Sequence, residues 1–173
     1  RLQQAAEQQL VLAQDSFNRA DNASALGTAD KGGTWAAAGS DTWAITGDMA
    51  AITGATNSPN VALLPITMPV GMVVADVYLS PGGSNTGLTL LGSADASAYL
   101  SVQLNLSNPN TSTQLFNRMT ISKRVNGTTT WFSIKNSAGL QPGRGYTLSA
   151  VVTTTDITVY VDGVQQLQYT FQF

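Results

Sequence analysis

The chain has 173 residues, and only 10% of them are charged, where roughly 25% is typical of soluble domains. Its net charge of −2 and its pI near 4.7 predict neither nucleic acid nor an anionic membrane as a partner, because both attract dense Lys and Arg. Cysteine and histidine are absent, which excludes disulfides, the usual Ser-His-Asp and Cys-His triads, and zinc sites built on those residues.

Residues 1–14, RLQQAAEQQLVLAQ, are rich in the helix formers Gln, Ala and Leu. We expect a short N-terminal helix there. It either packs on its own domain or is the end of a helical stalk that bundles with its copies, and a disordered leader is the remaining alternative. The chain begins with Arg1, so we expect a fragment or a processed product. No apolar run reaches the roughly 18 residues of a membrane-spanning helix, so we expect no membrane insertion.

From Asp15 onward the pattern indicates β-strands, in which apolar and polar residues alternate. In AYLSVQLNLS the leucines and Val102 share one face, and Ser101, Gln103 and Asn105 share the other. In VQQLQYTFQF the inward face is formed by four residues: Leu167, Tyr169, Phe171 and Phe173. Asp162-Gly163 and Asn126-Gly127 suit two-residue hairpins, because these residue types tolerate positive φ. About eleven such strands predict an antiparallel sandwich or jelly roll.

The opening segment carries a family resemblance. Its motifs are DSFNRAD at residues 15–21, then Leu26-Gly27, Gly33-Thr34-Trp35 and the strand DTWAI at residues 41–45. Together they resemble the start of concanavalin A-like (laminin G-like) jelly rolls, and ITVYVDGVQQLQYTFQF resembles the last hairpin of that fold. The resemblance implies an all-β jelly-roll sandwich over residues 15–173, preceded by the short helix. Within it, Phe17, Trp43 and Ile45 are expected in the core.

The FNRAD motif, with a body rich in Ala, Thr and Gly, also resembles domains of bacteriophage tail and other virion proteins. That resemblance implies a non-enzymatic virion module for host recognition. Such a module is expected as a homotrimer in contact with other virion proteins and with host surface polysaccharide. The alternatives are a secreted carbohydrate-binding or adhesin module, a capsid-decorating domain, and a degraded glycosidase.

Catalysis is not expected. Glycosidases that resemble this fold carry a Glu-x-Asp-x-x-Glu strand, and glycoside hydrolysis generally needs two carboxylates. This chain has one glutamate, Glu7, which lies in the predicted helix. Only Asp76 lies inside a convincing strand, and no acidic residue lies within four positions of it.

Sugar sites use an exposed aromatic ring as a platform. The candidates are Trp35, which follows Gly-Gly-Thr, together with Tyr99 and Trp131. In TTTWFSIK, Phe132 shares its strand face with Ile134, which predicts that Phe132 is in the core. Trp131 is then expected outside, on the face of Ser133 and Lys135, where it either binds a sugar or contacts a sister subunit or another domain.

Two further groups of residues are candidates for ligand contacts. Basic residues gather on one predicted hairpin, where Arg124 and Lys135 accompany Arg118 and Lys123. They either meet an acidic wall polymer or keep an edge strand from sticking to its neighbours. A calcium ion is the one metal left open, because it takes oxygen ligands. The loop residues that would bind it, or that are simply turn formers, are Asp21, Asn22, Asp30 and Asp41.

Overall fold

The computed structural model describes most of the chain, namely residues 10–53, 60–67, 70–82, 84–107 and 117–171. The chain divides into two compact units, Arg1–Thr67 and Met68–Phe173. In the described residues no helix is long and apolar enough to cross a membrane.

Twelve strands lie in the described residues. They are β1 (Ala36–Ala38), β2 (Thr42–Thr46), β3 (Met49–Thr53), β4 (Val61–Leu63), β5 (Gly71–Leu79), β6 (Ser84–Leu90), β7 (Ala98–Leu106), β8 (Asn117–Val125), β9 (Thr128–Asn136), β10 (Arg144–Val152), β11 (Asp156–Val161) and β12 (Val164–Thr170).

The first unit is built from two antiparallel strand pairs, β1 with β4 and β2 with β3. The β2–β3 hairpin turns at Gly47 and Asp48, which both have positive φ. Its Ala44 and Ile45 are fully buried, and Ile45 forms an isolated bridge with Asn22. The expectation that Ile45 is a core residue is confirmed, whereas Phe17 and Trp43 are only half-buried.

The second unit is a sandwich of two antiparallel four-stranded sheets. One sheet has the strand order β12-β11-β10-β5, and the other, the β6–β9 sheet, has the order β6-β7-β8-β9. Apolar side chains of both sheets form one core, in which Leu104, Ile121, Leu148 and Val159 are essentially inaccessible to solvent. The prediction of an all-β antiparallel sandwich is confirmed in this unit.

Both predicted two-residue hairpins are present. Asn126 and Gly127 link β8 to β9 with φ of 46° and 84°, and Asp162 and Gly163 link β11 to β12 with φ of 50° and 77°. Positive φ at both turn positions is the type I′ geometry, whose twist matches that of the flanking strands. The turn residues therefore set the register of both hairpins.

The outward face of β7 differs from the expectation. Leu100, Val102 and Leu104 are buried as predicted, but Ser101 and Asn105 on the opposite face are also buried, at 4% and 6% exposure. The Ser101 hydroxyl lies 2.9 Å from that of Ser122, and Asn105 Nδ2 donates to Thr120 Oγ1 at 3.3 Å. These polar groups tolerate burial because they bond to one another across the β7–β8 pair.

The N-terminal helix is not confirmed. Residues 1–9 of the predicted helix lie outside the described residues. Residues 10–14 are not helical, and Gln14 instead forms an antiparallel bridge with Lys31, with N–O distances of 3.0 and 2.9 Å. The helix propensity of this short segment is outweighed by backbone bonds to a distant part of the chain.

Candidate functional site

Asp15 is the centre of a polar network in the first unit. Its side chain is only 2% exposed. Its two oxygens accept bonds from Arg19 Nη1 at 2.7 Å and Nη2 at 2.9 Å, from Trp35 Nε1 at 2.6 Å and from the Phe17 backbone N–H at 2.9 Å. A buried carboxylate with four donors is satisfied, and it fixes every group that points at it.

These bonds determine the protonation state of Asp15. Burial alone would raise the pKa of its carboxyl, since it removes water from the charged form. The hydrogen bonds from Arg19, Trp35 and Phe17 act in the opposite direction, and the pKa lies below its ordinary value of 3.8. Asp15 is therefore a permanent anion at neutral pH, and the same bond raises the pKa of Arg19.

The network holds the Trp35 indole in one orientation. Its ring stacks on Phe17 with the centroids 5.8 Å apart and an angle of 27° between the planes. The Arg19 guanidinium lies 5.3 Å from the centre of the Phe17 ring and also donates to the Leu26 carbonyl oxygen, at 2.5 and 3.1 Å. The DSFNRAD segment thus ties down the chain, and it also positions an aromatic side chain.

Trp35 lines a shallow depression of about 260 Å³. The depression is contained within the first unit, and its walls combine aromatic, small apolar and polar side chains: Ser24, Ala25, Leu26, Trp35, Ala37, Asp41, Thr42 and Trp43. The Asp41 carboxylate accepts a bond from Asn60 Nδ2 at 2.8 Å. Trp43 Nε1 is buried and has no acceptor among the described residues. An unpaired buried donor costs free energy that a bound acceptor would recover.

We name these eight residues the Trp35 depression. Of them, the sequence pointed to Trp35 as an aromatic platform and to Asp41 as a possible calcium ligand, and it missed Ser24 and Trp43. Trp43 was missed because it was expected in the core. The depression also depends on Asp15, which lies twenty positions before Trp35 in the chain.

The four calcium candidates do not gather. Asp21 accepts the Gly47 N–H, Asp30 accepts the Ser16 N–H, and Asn22 accepts from Ser24. No three His, Cys, Asp or Glu side chains come together anywhere in the part of the chain that the structure describes. Side-chain oxygens that accept backbone N–H groups are common in turns and loops, and calcium binding stays a prediction.

The remaining ligand candidates lie in the second unit. Tyr99 and Arg124 are paired across β7 and β8. Tyr99 is only 7% exposed, and burial raises the pKa of its hydroxyl, so the structure gives its ring little surface for a ligand. Arg124 donates to Thr129 Oγ1 at 3.2 Å.

Trp131 is exposed, as predicted, but its neighbours differ. A β-bulge in β9 places Trp131 opposite Ser122 and Ser133 opposite Ile121, so that Phe132 is an extra residue. Phe132 packs against the core, as predicted. The expectation that Ile134 shares its face is wrong, because Ile134 is 45% exposed. The bulge reverses the alternation after Phe132 and moves Ile134 to the face of Trp131.

Lys135, which was expected on the face of Trp131, lies on the opposite face of the sheet. It pairs with the buried Met119, on the inner side of the sheet, and its Nζ donates to Gln166 Oε1 at 2.6 Å. The face of Trp131 has instead gained Arg118, whose guanidinium carbon lies 5.4 Å from the centre of the indole ring. A bulge of this kind has no local sequence signal, which is why Arg118 was not selected.

Asp76, the one aspartate considered for catalysis, lies on the outward face of β5. Its Oδ1 accepts a bond from the Thr147 hydroxyl at 2.7 Å. That contact is of the cross-strand kind that stabilises sheets. The described residues thus give Asp76 a structural role.

Comparison with known proteins supports the fold. No family model and no curated protein matches the sequence. Among solved structures, the carbohydrate-binding module CBM66 from Bacillus subtilis is similar, with a TM-score of 0.66 over 80% of each chain at 13% sequence identity. At that identity the likeness shows the fold alone, an antiparallel β-sandwich. The homotrimer, the virion setting and the extent of the jelly roll over residues 15–173 stay predictions.

Proposed function

We propose that this protein is a non-catalytic carbohydrate-binding module, and that its first unit binds a sugar ring in the Trp35 depression. The observation that carries the proposal is the fixed orientation of Trp35, which is bonded through its N–H to a buried carboxylate and stacked on Phe17. A ring held in place before the ligand arrives loses no further conformational entropy on binding.

The chemistry of the depression suits a sugar. A sugar ring has an apolar face of C–H groups and an edge of hydroxyls, so its site needs a flat aromatic surface with polar groups around it. Trp35 supplies the surface, and Asp41, Ser24 and Thr42 supply polar atoms at the wall. Small-ligand sites generally have this form, a concave apolar surface with few polar groups.

The similar solved structure is named as a carbohydrate-binding module, which supports the same class of ligand for this chain. We place the module outside the cell. The FNRAD resemblance supports a virion tail as its setting, and a secreted module is the alternative. Light scattering on the purified chain distinguishes a fibre-type trimer from a monomer.

Isothermal titration against a panel of soluble neutral polysaccharides tests the proposed binding. Trp35→Ala removes the platform, and we expect it to weaken the binding of a sugar at the depression by at least about tenfold, as for a central aromatic in other interfaces. Trp131→Ala is the matched control, because it removes the same residue type from the second unit. Trp35→Phe keeps an aromatic ring but loses the bond to Asp15, and we expect an intermediate loss.

Two results would contradict the proposal. One is that no polysaccharide of the panel binds the unmodified chain. The other is that Trp35→Ala, folded as judged by circular dichroism, binds every sugar ligand as tightly as the unmodified chain does. Turnover of any polysaccharide would contradict the proposal that the module is non-catalytic.

A further inference from the structure

The β6–β9 sheet carries a local excess of positive charge. Residues 84–136 contain four basic residues and one acidic residue, Asp95, in a chain whose net charge is −2. Half of the eight basic residues in the chain therefore lie in this stretch. The excess is large enough to attract an anionic partner to this sheet over short distances, although the whole molecule is weakly anionic.

Two of the basic residues point the same way. Strand β8 alternates regularly, so Arg118 and Arg124, six positions apart, are on its outward face, and Lys123 is on the opposite face. At about 3.3 Å per residue their Cα atoms are roughly 20 Å apart. On the neighbouring strand, Trp131 pairs with Ser122 and therefore lies between the two arginines.

The outward side of β9 adds apolar surface to this charge. Trp131 is 44% exposed and Ile134 is 45% exposed, both on the edge strand of the sheet. Asn136, opposite Arg118, is exposed as well. The guanidinium of Arg118 lies 5.4 Å from the centre of the Trp131 ring, a cation–π contact that orders both side chains. We name the five residues Arg118, Arg124, Trp131, Ile134 and Asn136 the β9 strip.

We propose that the β9 strip is a second binding site, independent of the Trp35 depression, and that its ligand is a linear acidic polysaccharide. Such a chain lies along the strand, stacks a sugar ring on Trp131 and pairs its anionic groups with Arg118 and Arg124. The planar guanidinium matches a carboxylate or a phosphate with two parallel hydrogen bonds. Asn136 offers an amide to the hydroxyl groups of the sugar.

The features of the strip favour this ligand over the other uses of such a surface. Charges that only protect an edge strand from aggregation do not need two large apolar residues exposed beside them. Single-stranded nucleic acid also stacks on aromatic rings, but its affinity depends on many Lys and Arg contacts, and the strip has two arginines on a protein of net negative charge.

The experiment measures binding of the full chain to polygalacturonate by isothermal titration. Fully methyl-esterified polygalacturonate is the control ligand, because it has the same sugar backbone without the charge. A glycerol phosphate polymer replaces carboxylate by phosphate, and a single-stranded oligonucleotide tests nucleic acid. We expect one or both acidic polymers to bind, and which of them binds better identifies the anionic group.

The variants test the geometry. We expect Trp131→Ala, and the double variant Arg118→Ala with Arg124→Ala, each to weaken binding about tenfold. Lys123→Ala is the matched control, since it removes a neighbouring positive charge from the opposite face, and we expect less than about a twofold change. Raising the salt concentration from about 0.1 M to about 1 M should weaken binding, because it shortens the screening length from about 10 Å to about 3 Å.

Several results would overturn the second site. Equal binding of the charged and esterified polymers would remove the role of charge. A loss in Lys123→Ala as large as that in the double arginine variant would make the attraction non-specific. Binding of the oligonucleotide tighter than that of both acidic polymers would assign the strip to nucleic acid. Absence of binding to either acidic polymer rejects the strip but leaves the Trp35 depression untouched, because neutral sugars test that site separately.

Discussion

Replacing Asp15 by Asn tests the network that holds Trp35. In the unmodified protein, Arg19 and Trp35 donate to both carboxylate oxygens of Asp15. The substitution removes the negative charge and leaves only one side-chain oxygen as an acceptor. Breaking a buried ion pair by neutralising one partner costs about 3–5 kcal/mol when the other partner stays buried. Arg19 is 26% exposed and regains part of its hydration, so we expect a loss of about 2–3 kcal/mol in the free energy of unfolding of the first unit.

The effect depends on pH in a defined direction. The pKa of Asp15 is lower in the folded protein than its ordinary value of 3.8, so its contribution is complete above pH 3.8 and is lost as the pH falls through the folded-state value. The asparagine side chain of the variant does not titrate. The difference in stability between the two proteins should therefore be constant near neutral pH and shrink below pH 3.8.

Urea unfolding followed by tryptophan fluorescence measures this difference. A Trp131→Phe background leaves Trp35 and Trp43 as the only tryptophans, and both belong to the first unit. Asp30→Asn is the control, because it neutralises an aspartate whose carboxylate accepts an exposed bond from the Ser16 N–H. A loss below about 0.5 kcal/mol at pH 7, the usual size of a surface change, would refute the reasoning. So would a difference that does not shrink as the pH is lowered below 3.8, the ordinary pKa of this carboxyl.

Two further predictions concern glycines. A Cβ at Gly87 would overlap the Val102 carbonyl group on the neighbouring strand. Gly87→Ala should therefore lower the free energy of unfolding by at least about 3 kcal/mol, as measured by thermal melting. Gly145→Ala is the control and should melt normally, because its Cβ would lie 3.9 Å from the Val77 oxygen. If both variants melt alike, the close approach at β6 is not a constraint. Gly163→Ala has open space but a φ of 77°, so we expect backbone strain alone, about 1–2 kcal/mol, in urea unfolding; an unchanged midpoint would contradict the type I′ turn.

The sequence determined the features that depend on neighbouring residues. The turn dipeptides at Asn126 and Asp162 place both hairpins, because few residue types adopt positive φ twice in succession. The alternation in β7 identified Leu100, Val102 and Leu104 as core, since side chains alternate with period two in any strand. The absence of His and Cys excluded whole classes of chemistry without reference to any fold.

The tertiary structure decided what depends on distant partners. The bond between Asp15 and Trp35 spans twenty residues, and no local pattern indicates that the two side chains meet. The bulge at Phe132 moved Ile134 outward and brought Arg118 beside Trp131, because an extra residue reverses the alternation beyond it. Residues 10–14 have helical propensity, but Gln14 forms an antiparallel bridge with Lys31. Backbone pairing with a distant segment outweighs a helix preference of roughly a few tenths of a kcal/mol per residue.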